Sequence, residues 1–200
     1  MAAIAMPAEV VPNSATVFLR EFGAVLTPFL GGPEQLIDRP GTRFGVRLQL
    51  PSKRTETEAM IIQSRLLQAR KQRLIMPFPQ PGFDTGTPGA PVLASAVLAG
   101  TVLPLTGLTP GYVAAEGQFL SIIRAGRRYL HMFRASGTAG ANGALTASIF
   151  PMLRVQLGAG DVVEIAKPMI EGLVSPGDEL NWQISVSRLT AFSFTISEGA

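Results

Sequence analysis

The chain contains no cysteine, which removes disulfide frameworks, thiolate metal centres and cysteine nucleophiles from consideration. A protein without disulfides suits the reducing conditions of a cytosol. Histidine and tryptophan each occur once, and charged residues make up only 16% of 200 positions, against about 25% in an average soluble domain. No long apolar run is present either. The most hydrophobic stretch, Pro91 to Leu108, is interrupted by Gly100, Pro104 and Gly107, whereas a membrane-spanning helix needs about 20 predominantly apolar residues. The first twelve residues have no basic region ahead of their small apolar ones, so no secretory signal is expected. Basic and acidic residues number 17 and 14, a net charge of +3. No basic tract stands out of the kind that a dedicated nucleic-acid binder concentrates.

What remains is a chain that is 46% hydrophobic and thinly charged. A monomer stays dispersed behind a charged coat. This composition therefore points to a surface covered by other copies, a permanent homo-oligomer.

Hydrophobic periodicity outlines the elements. Phe44, Val46, Leu48 and Leu50 alternate with Arg43, Gly45, Arg47 and Gln49, the pattern of a half-buried strand over 42–50 ended by Pro51. Thr55-Glu56-Thr57-Glu58 reads as a capping box opening a helix over 55–73. Ala59, Ile62, Leu66 and Ala69 mark its buried face, widened by Ile61 and Leu67. Arg70, Lys71 and Arg73 fall at the negative end of its dipole. Residues 74–78 return as a strand. The first 41 residues, rich in Pro and Gly, read as short strands and an arm. Beyond the Pro/Gly stretch 77–91, short strands are expected at 119–124, 128–133, 145–150, 162–167 and 169–174. The first two form a hairpin around a three-residue loop, Ala125-Gly126-Arg127. Trp182, Ile184 and Val186, then Phe192, Phe194 and Ile196, alternate as a terminal hairpin. The economical organisation is mainly β with one amphipathic helix. Residues 1–86 and 177–200 form one two-layer domain, a sandwich or split barrel carrying the helix, and 87–176 form an inserted β-barrel-like module.

Catalytic readings find little support. His131 lies on one strand face with Tyr129 and Phe133, and zinc would need carboxylates to complete its shell. The carboxylate pairs Asp161/Glu164 and Asp178/Glu179 read as loop charges, no Gly-x-Ser-x-Gly elbow is present, and Gly137 to Gly143 lacks the Lys and following helix of a phosphate loop. No catalytic, cofactor or metal residue is expected, and the chain reads as a non-enzyme. Two basic clusters are candidates for partner contact: Arg65, Arg70, Lys71 and Arg73 on the helix, and Arg124, Arg127 and Arg128 around the 125–127 turn. The first could pair with Glu34 or Asp38 of a neighbouring copy. The second, beside Tyr129, His131 and Phe133, could instead bind single-stranded nucleic acid by stacking and phosphate contact, or the barrel could grip carbohydrate.

In layout and phrasing, the segments Arg43-Phe-Gly-Val-Arg-Leu-Gln-Leu-Pro51, Arg73-Leu-Ile-Met-Pro-Phe78, Glu116-Gly-Gln-Phe-Leu-Ser-Ile122, Arg128-Tyr-Leu-His-Met-Phe133, Ala147-Ser-Ile-Phe-Pro-Met-Leu-Arg154, Asn181-Trp-Gln-Ile-Ser-Val186 and Ala191-Phe-Ser-Phe-Thr-Ile-Ser-Glu198 resemble the distal tail proteins of long-tailed bacteriophages and gene-transfer particles. The resemblance spans most of the chain from residue 42. It implies a structural virion protein assembled in the host cytoplasm, forming a hexameric ring at the tail tip. Its partners would be further copies, the tail tube protein and the tail-tip hub or receptor-binding proteins of a baseplate. It implies a β-rich ring domain holding helix 55–73 and strand 42–50, with the additional β module facing outward, and no catalytic residue. Tube, terminator and other minor tail proteins share such β-rich rings.

Overall fold

The computed structural model describes residues 3–7, 10–54, 57–175, 180, 182–185 and 189–199, with backbone alone at 182 and 183. The strands, in chain order, are β1 (Ala3–Ala5), β2 (Ser14–Arg20), β3 (Ala24–Leu26), β4 (Gln35–Ile37), β5 (Arg43–Gln49) and β6 (Lys53–Arg54). Helix α1 (Glu58–Gln68) follows, then β7 (Arg73–Pro77), β8 (Gly89–Leu93), β9 (Val102–Leu108), β10 (Val113–Ala114), β11 (Phe119–Arg124) and β12 (Arg127–Phe133). The remainder are β13 (Gly137–Thr138), β14 (Leu145–Phe150), β15 (Val162–Glu164), β16 (Met169–Val174), β17 (Trp182–Ile184) and β18 (Leu189–Glu198).

The alternating stretch at 42–50 becomes β5, which buries Phe44, Val46 and Leu48 on one face. It lies in an eight-stranded sheet ordered β1-β7-β16-β18-β5-β2, with β6 and β17 also paired to β18. The ten residues of β18 are the spine of this sheet. Leu189 to Phe192 pair with β6 and β17, and Ser193 to Glu198 pair with β5 and β16. Phe192, Phe194 and Ile196 face the core as their alternation requires. The β17–β18 pairing is the expected terminal hairpin, but Ile184, expected on its apolar face, is exposed; Val186 and its turn fall outside the described residues. Gly45 lies opposite Phe18 of β2, whose ring covers the glycine so closely that any Cβ would collide with it.

Helix α1 covers the sheet with Ala59, Ile62 and Leu66, which join Val46, Leu48, Leu74, Ile170, Val174, Phe192 and Ile196 in one apolar cluster. It is shorter than the expected 55–73. Ala69 caps its end, and Arg73 is already the first residue of β7, drawn into the sheet by pairing with Ala3. Thr55 and Glu56 lie outside the described residues. Thr57 occupies the N-cap without a side-chain hydrogen bond, and Glu58 instead pairs with Lys53 at 3.0 Å. Ile61 and Leu67 do not widen the buried face: each is 46% exposed on the opposite side of the helix.

Strands β11-β12-β14-β9-β8-β15 close into a six-stranded antiparallel barrel. Leu93, Leu103, Leu105, Leu120, Ile122, Phe133, Ile149 and Val163 fill its interior, as side chains fill any barrel of this size. The stretch 87–176 therefore divides. Strands β8 to β15 serve the barrel and its rim, but β16 pairs with β7 and β18 in the large sheet. The β11–β12 hairpin also differs from the expectation of a three-residue loop. Ala125 and Gly126 alone form the turn, both with positive φ (49° and 75°), while Arg127 pairs with Arg124. Positive φ at both central residues is the turn whose twist matches the strands, so the ladder extends one residue further.

Candidate association surfaces

Residues 21–41 leave the sheet as a stalk. Its root is fixed where the Arg43 guanidinium lies over the Phe22 ring, 4.8 Å from the centroid, and where that ring packs on Gly41. Strands β3 and β4 pair above it, and Val25, Leu26 and Leu36 are exposed there. At the tip, the Gly31 amide donates to the Pro28 carbonyl at 3.2 Å, which makes Phe29 and Leu30 the two central residues of a β-turn. Gly, Pro, Asn, Asp and Ser dominate such positions. Here they hold two large apolar side chains, 101% and 93% exposed.

A second apolar surface lies on the outer side of α1. Met60 and Ile61, with Ile4 of β1 and the polar Ser64, Arg65 and Gln68, line an open groove of about 460 Å³. The one-turn spacing 60-64-68 aligns these residues in a row along the helix, and Lys71 follows in the turn past the helix end.

The seven basic candidates are placed as follows. Arg65 donates to the Ala5 carbonyl, and Arg70 to the Ser175 carbonyl at 3.4 Å. Arg73 pairs with the buried Glu171 at 3.6 Å. On the barrel, Arg124 meets Asp161 at 3.3 Å and Arg128 meets Glu164 at 3.0 Å. Arg127 lies over the Tyr129 ring at 5.6 Å. Lys71 is exposed, with no ion pair among the described residues. The barrel cluster is thus largely neutralised by acids of the same chain. The aromatics behind it, Tyr129 and Phe133, are buried together with His131, so they offer no stacking platform to a nucleobase.

Sheet and barrel meet at a polar seam. The amides of Arg128 and Leu130, on the edge of β12 turned away from β11, donate to Glu171 Oε2 at 3.0 Å and to Glu198 Oε1 at 2.8 Å. Glu198 Oε2 also accepts from the Phe44 amide at 3.0 Å, and Oε1 from Arg154 Nη2 at 2.7 Å. Burial pushes the Glu198 carboxyl above its ordinary value, while Arg154 and the two amides pull it back. Every neighbour of its oxygens is a donor, which fits the carboxylate. His131 Nδ1 lies 2.9 Å from the Pro151 carbonyl, so this nitrogen carries the proton of a neutral ring. Desolvation, then the nearby Arg154 charge, lowers its pKa to about 3. A buried imidazole held neutral and bonded to a backbone carbonyl is a packing element. The two carboxylates expected as loop charges at Asp161 and Glu164 are the arginine partners named above; Asp178 and Glu179 lie outside the described residues.

Among the described residues, no three His, Asp or Glu side chains gather into a metal-binding group, and no helix is long and apolar enough to cross a membrane. Neither a protein-family model nor a curated protein sequence matches this chain. The features with functional content are the two apolar surfaces. The sequence marks the first as an apolar stretch from Gly23 to Leu30 without a periodic pattern and assigns Ile61 of the second to the buried helix face, so neither is marked as an exposed surface.

Proposed function

We propose that this chain is a structural subunit that closes into a ring, of the kind that joins a phage tail tube to its tip. In this reading the large sheet and α1 form a two-layer ring domain, the barrel projects from it, and neighbours in the particle are the tube and the hub proteins. The observation that carries the reading is the pair of exposed apolar surfaces, the hairpin tip at Phe29–Leu30 and the groove along Met60–Ile61, on separate elements of one charge-poor chain. Exposed apolar area of this sort marks an interaction site. Two different patches that complement each other make heterologous contacts, which generate a ring when the rotation closes. Among the described residues β2 ends the sheet with one edge unpaired, a row of backbone groups that a neighbour can pair. The filled barrel fits a scaffold role better than a ligand container, and the segments quoted above resemble distal tail proteins.

Light scattering and electron microscopy of the purified protein test this. The expected result is annular particles of about six chains of 21.2 kDa each; a stable single-chain species at every concentration overturns the proposal.

A further inference from the structure

Among the described residues, nothing covers Phe29 at the tip of the β3–β4 hairpin, which keeps its whole surface open, and the groove on α1 is open as well. Charge distinguishes the two surfaces as sharply as shape does. From Ala24 to Asp38 the hairpin carries two acids, Glu34 and Asp38, and no base. From Thr57 to Arg73 the helix and its exit carry four bases, Arg65, Arg70, Lys71 and Arg73, against one acid, Glu58, which is already paired with Lys53. Arg73 is itself paired with Glu171, and Arg65 and Arg70 donate to backbone carbonyls, which leaves Lys71 as the exposed charge at this end. One surface is an apolar knob with a negative stem, the other a groove with an apolar side at Ile4, Met60 and Ile61, a polar side at Ser64, Arg65 and Gln68, and Lys71 beyond the helix end.

We infer that Phe29 and Leu30 of one copy seat in the groove formed by Ile4, Met60 and Ile61 of a second copy, with Glu34 and Asp38 turned toward the basic end at Lys71. This rests on the ring reading above and gives it a contact. The occupant is a second copy rather than an unrelated protein because the same chain supplies both members of a pair matched in polarity and opposite in charge. An aromatic anchor entering an apolar slot is the arrangement in which interface energy concentrates. The opposed charges fix the orientation of approach and hasten it. Knob and slot lie on different elements, so the contact runs head to tail and every copy uses both of its surfaces.

The absence of cysteine from the chain permits a direct test by engineered disulfides, which form only where Cβ atoms come within about 4.5 Å. The variants are Phe29→Cys, Met60→Cys and the two combined, oxidised gently and separated without reductant, beside the mass of the wild-type protein by light scattering. Both positions are exposed, so the fold tolerates the changes. The combined variant is expected to give a ladder in steps of 21.2 kDa. Each single variant alone stays at one chain, and a mixture of the two single variants stops at pairs. Phe29→Asp with Leu30→Asp is expected to reduce the particles to single chains. Glu34→Lys is expected to weaken association about fivefold, an effect that Lys71→Glu reverses. If the wild type is multimeric while the combined cysteine variant stays at one chain and the aspartate variant keeps its size, this contact is wrong and the ring reading survives. Disulfide-linked pairs from a single variant would show a symmetric contact and also overturn it. A wild type that is a single chain throughout removes the ring reading and this contact together.

Discussion

Arg154 and Glu198 form an ion pair at 2.7 Å with side chains 7% and 1% exposed, one following the barrel strand β14 and the other ending the spine of the sheet. Charges withdrawn this far from water depend on each other. The guanidinium also lies over the Tyr129 ring at 5.3 Å and donates to the Gly199 carbonyl, while the carboxylate holds the Leu130 and Phe44 amides. One pair thereby ties the barrel to both the centre and the flank of the sheet.

Removing one partner leaves the other buried and uncompensated, which costs about 3–5 kcal/mol, whereas replacing both with apolar groups of similar volume is often close to neutral. Glu198→Gln is therefore expected to lower unfolding free energy by about 3 kcal/mol or more. Combining Arg154→Met with Glu198→Met should lose less than the sum of the two single changes. Urea denaturation followed by circular dichroism measures both, and simple additivity would show that the pair does not act as a unit.

His131 gives the protein a pH dependence of known sign. Its folded pKa of about 3 lies below the ordinary value near 6.5, so the unfolded chain binds the extra proton first. The stabilisation from the neutral ring is complete above about pH 6.5 and is lost as pH falls toward 3, by at most about 1.4 kcal/mol per pH unit. The raised Glu198 carboxyl works in the opposite sense, so the difference between wild type and His131→Asn isolates the imidazole. Asn keeps a donor near the Nδ1 position for the Pro151 carbonyl. The variant should show a flatter stability profile between pH 6.5 and 4 in thermal melts, and an unchanged slope would contradict the buried neutral ring.

Phe133 fills the barrel and is fully buried. Phe133→Ala is expected to cost about 3–5 kcal/mol, seen as a lower denaturation midpoint. A loss under 1 kcal/mol would mean that the barrel interior is not packed as described.

Ala125 holds φ = 49° in the two-residue turn, a conformation that an alanine adopts at a cost and an asparagine adopts readily. Ala125→Asn is expected to stabilise the protein by up to about 1 kcal/mol, measured as a raised melting temperature.

Much of this architecture is legible in the sequence where local chemistry and tertiary role coincide. The alternations of β5 and β18 each bury the residues that their pattern assigns, and Ala59, Ile62 and Leu66 form the helix face as their spacing requires. Legibility fails where a residue's place is decided by a distant partner. Nothing local separates β16 from the barrel strands before it; its register with Leu74 to Pro77 does. The same holds for the short β1, which runs parallel to β7. Ile61 and Leu67 look like core by composition but stand on the outer side of α1. The arginines read as partner contacts sit beside acids 36 to 98 positions away, pairings that no window of sequence contains.

The position of β18 has a consequence for how the chain comes to be folded. All six barrel strands lie in one continuous stretch, 89–164, and can meet as soon as that stretch has left the ribosome. The large sheet cannot be completed so early. Its early strands β1, β2, β5, β6 and β7 wait for a central strand that is synthesised after all of them, with the whole barrel threaded in between. Until it arrives, the oily face of α1 and the inner face of β5 lack their cover. That interval is when the nascent chain is most exposed to misassociation.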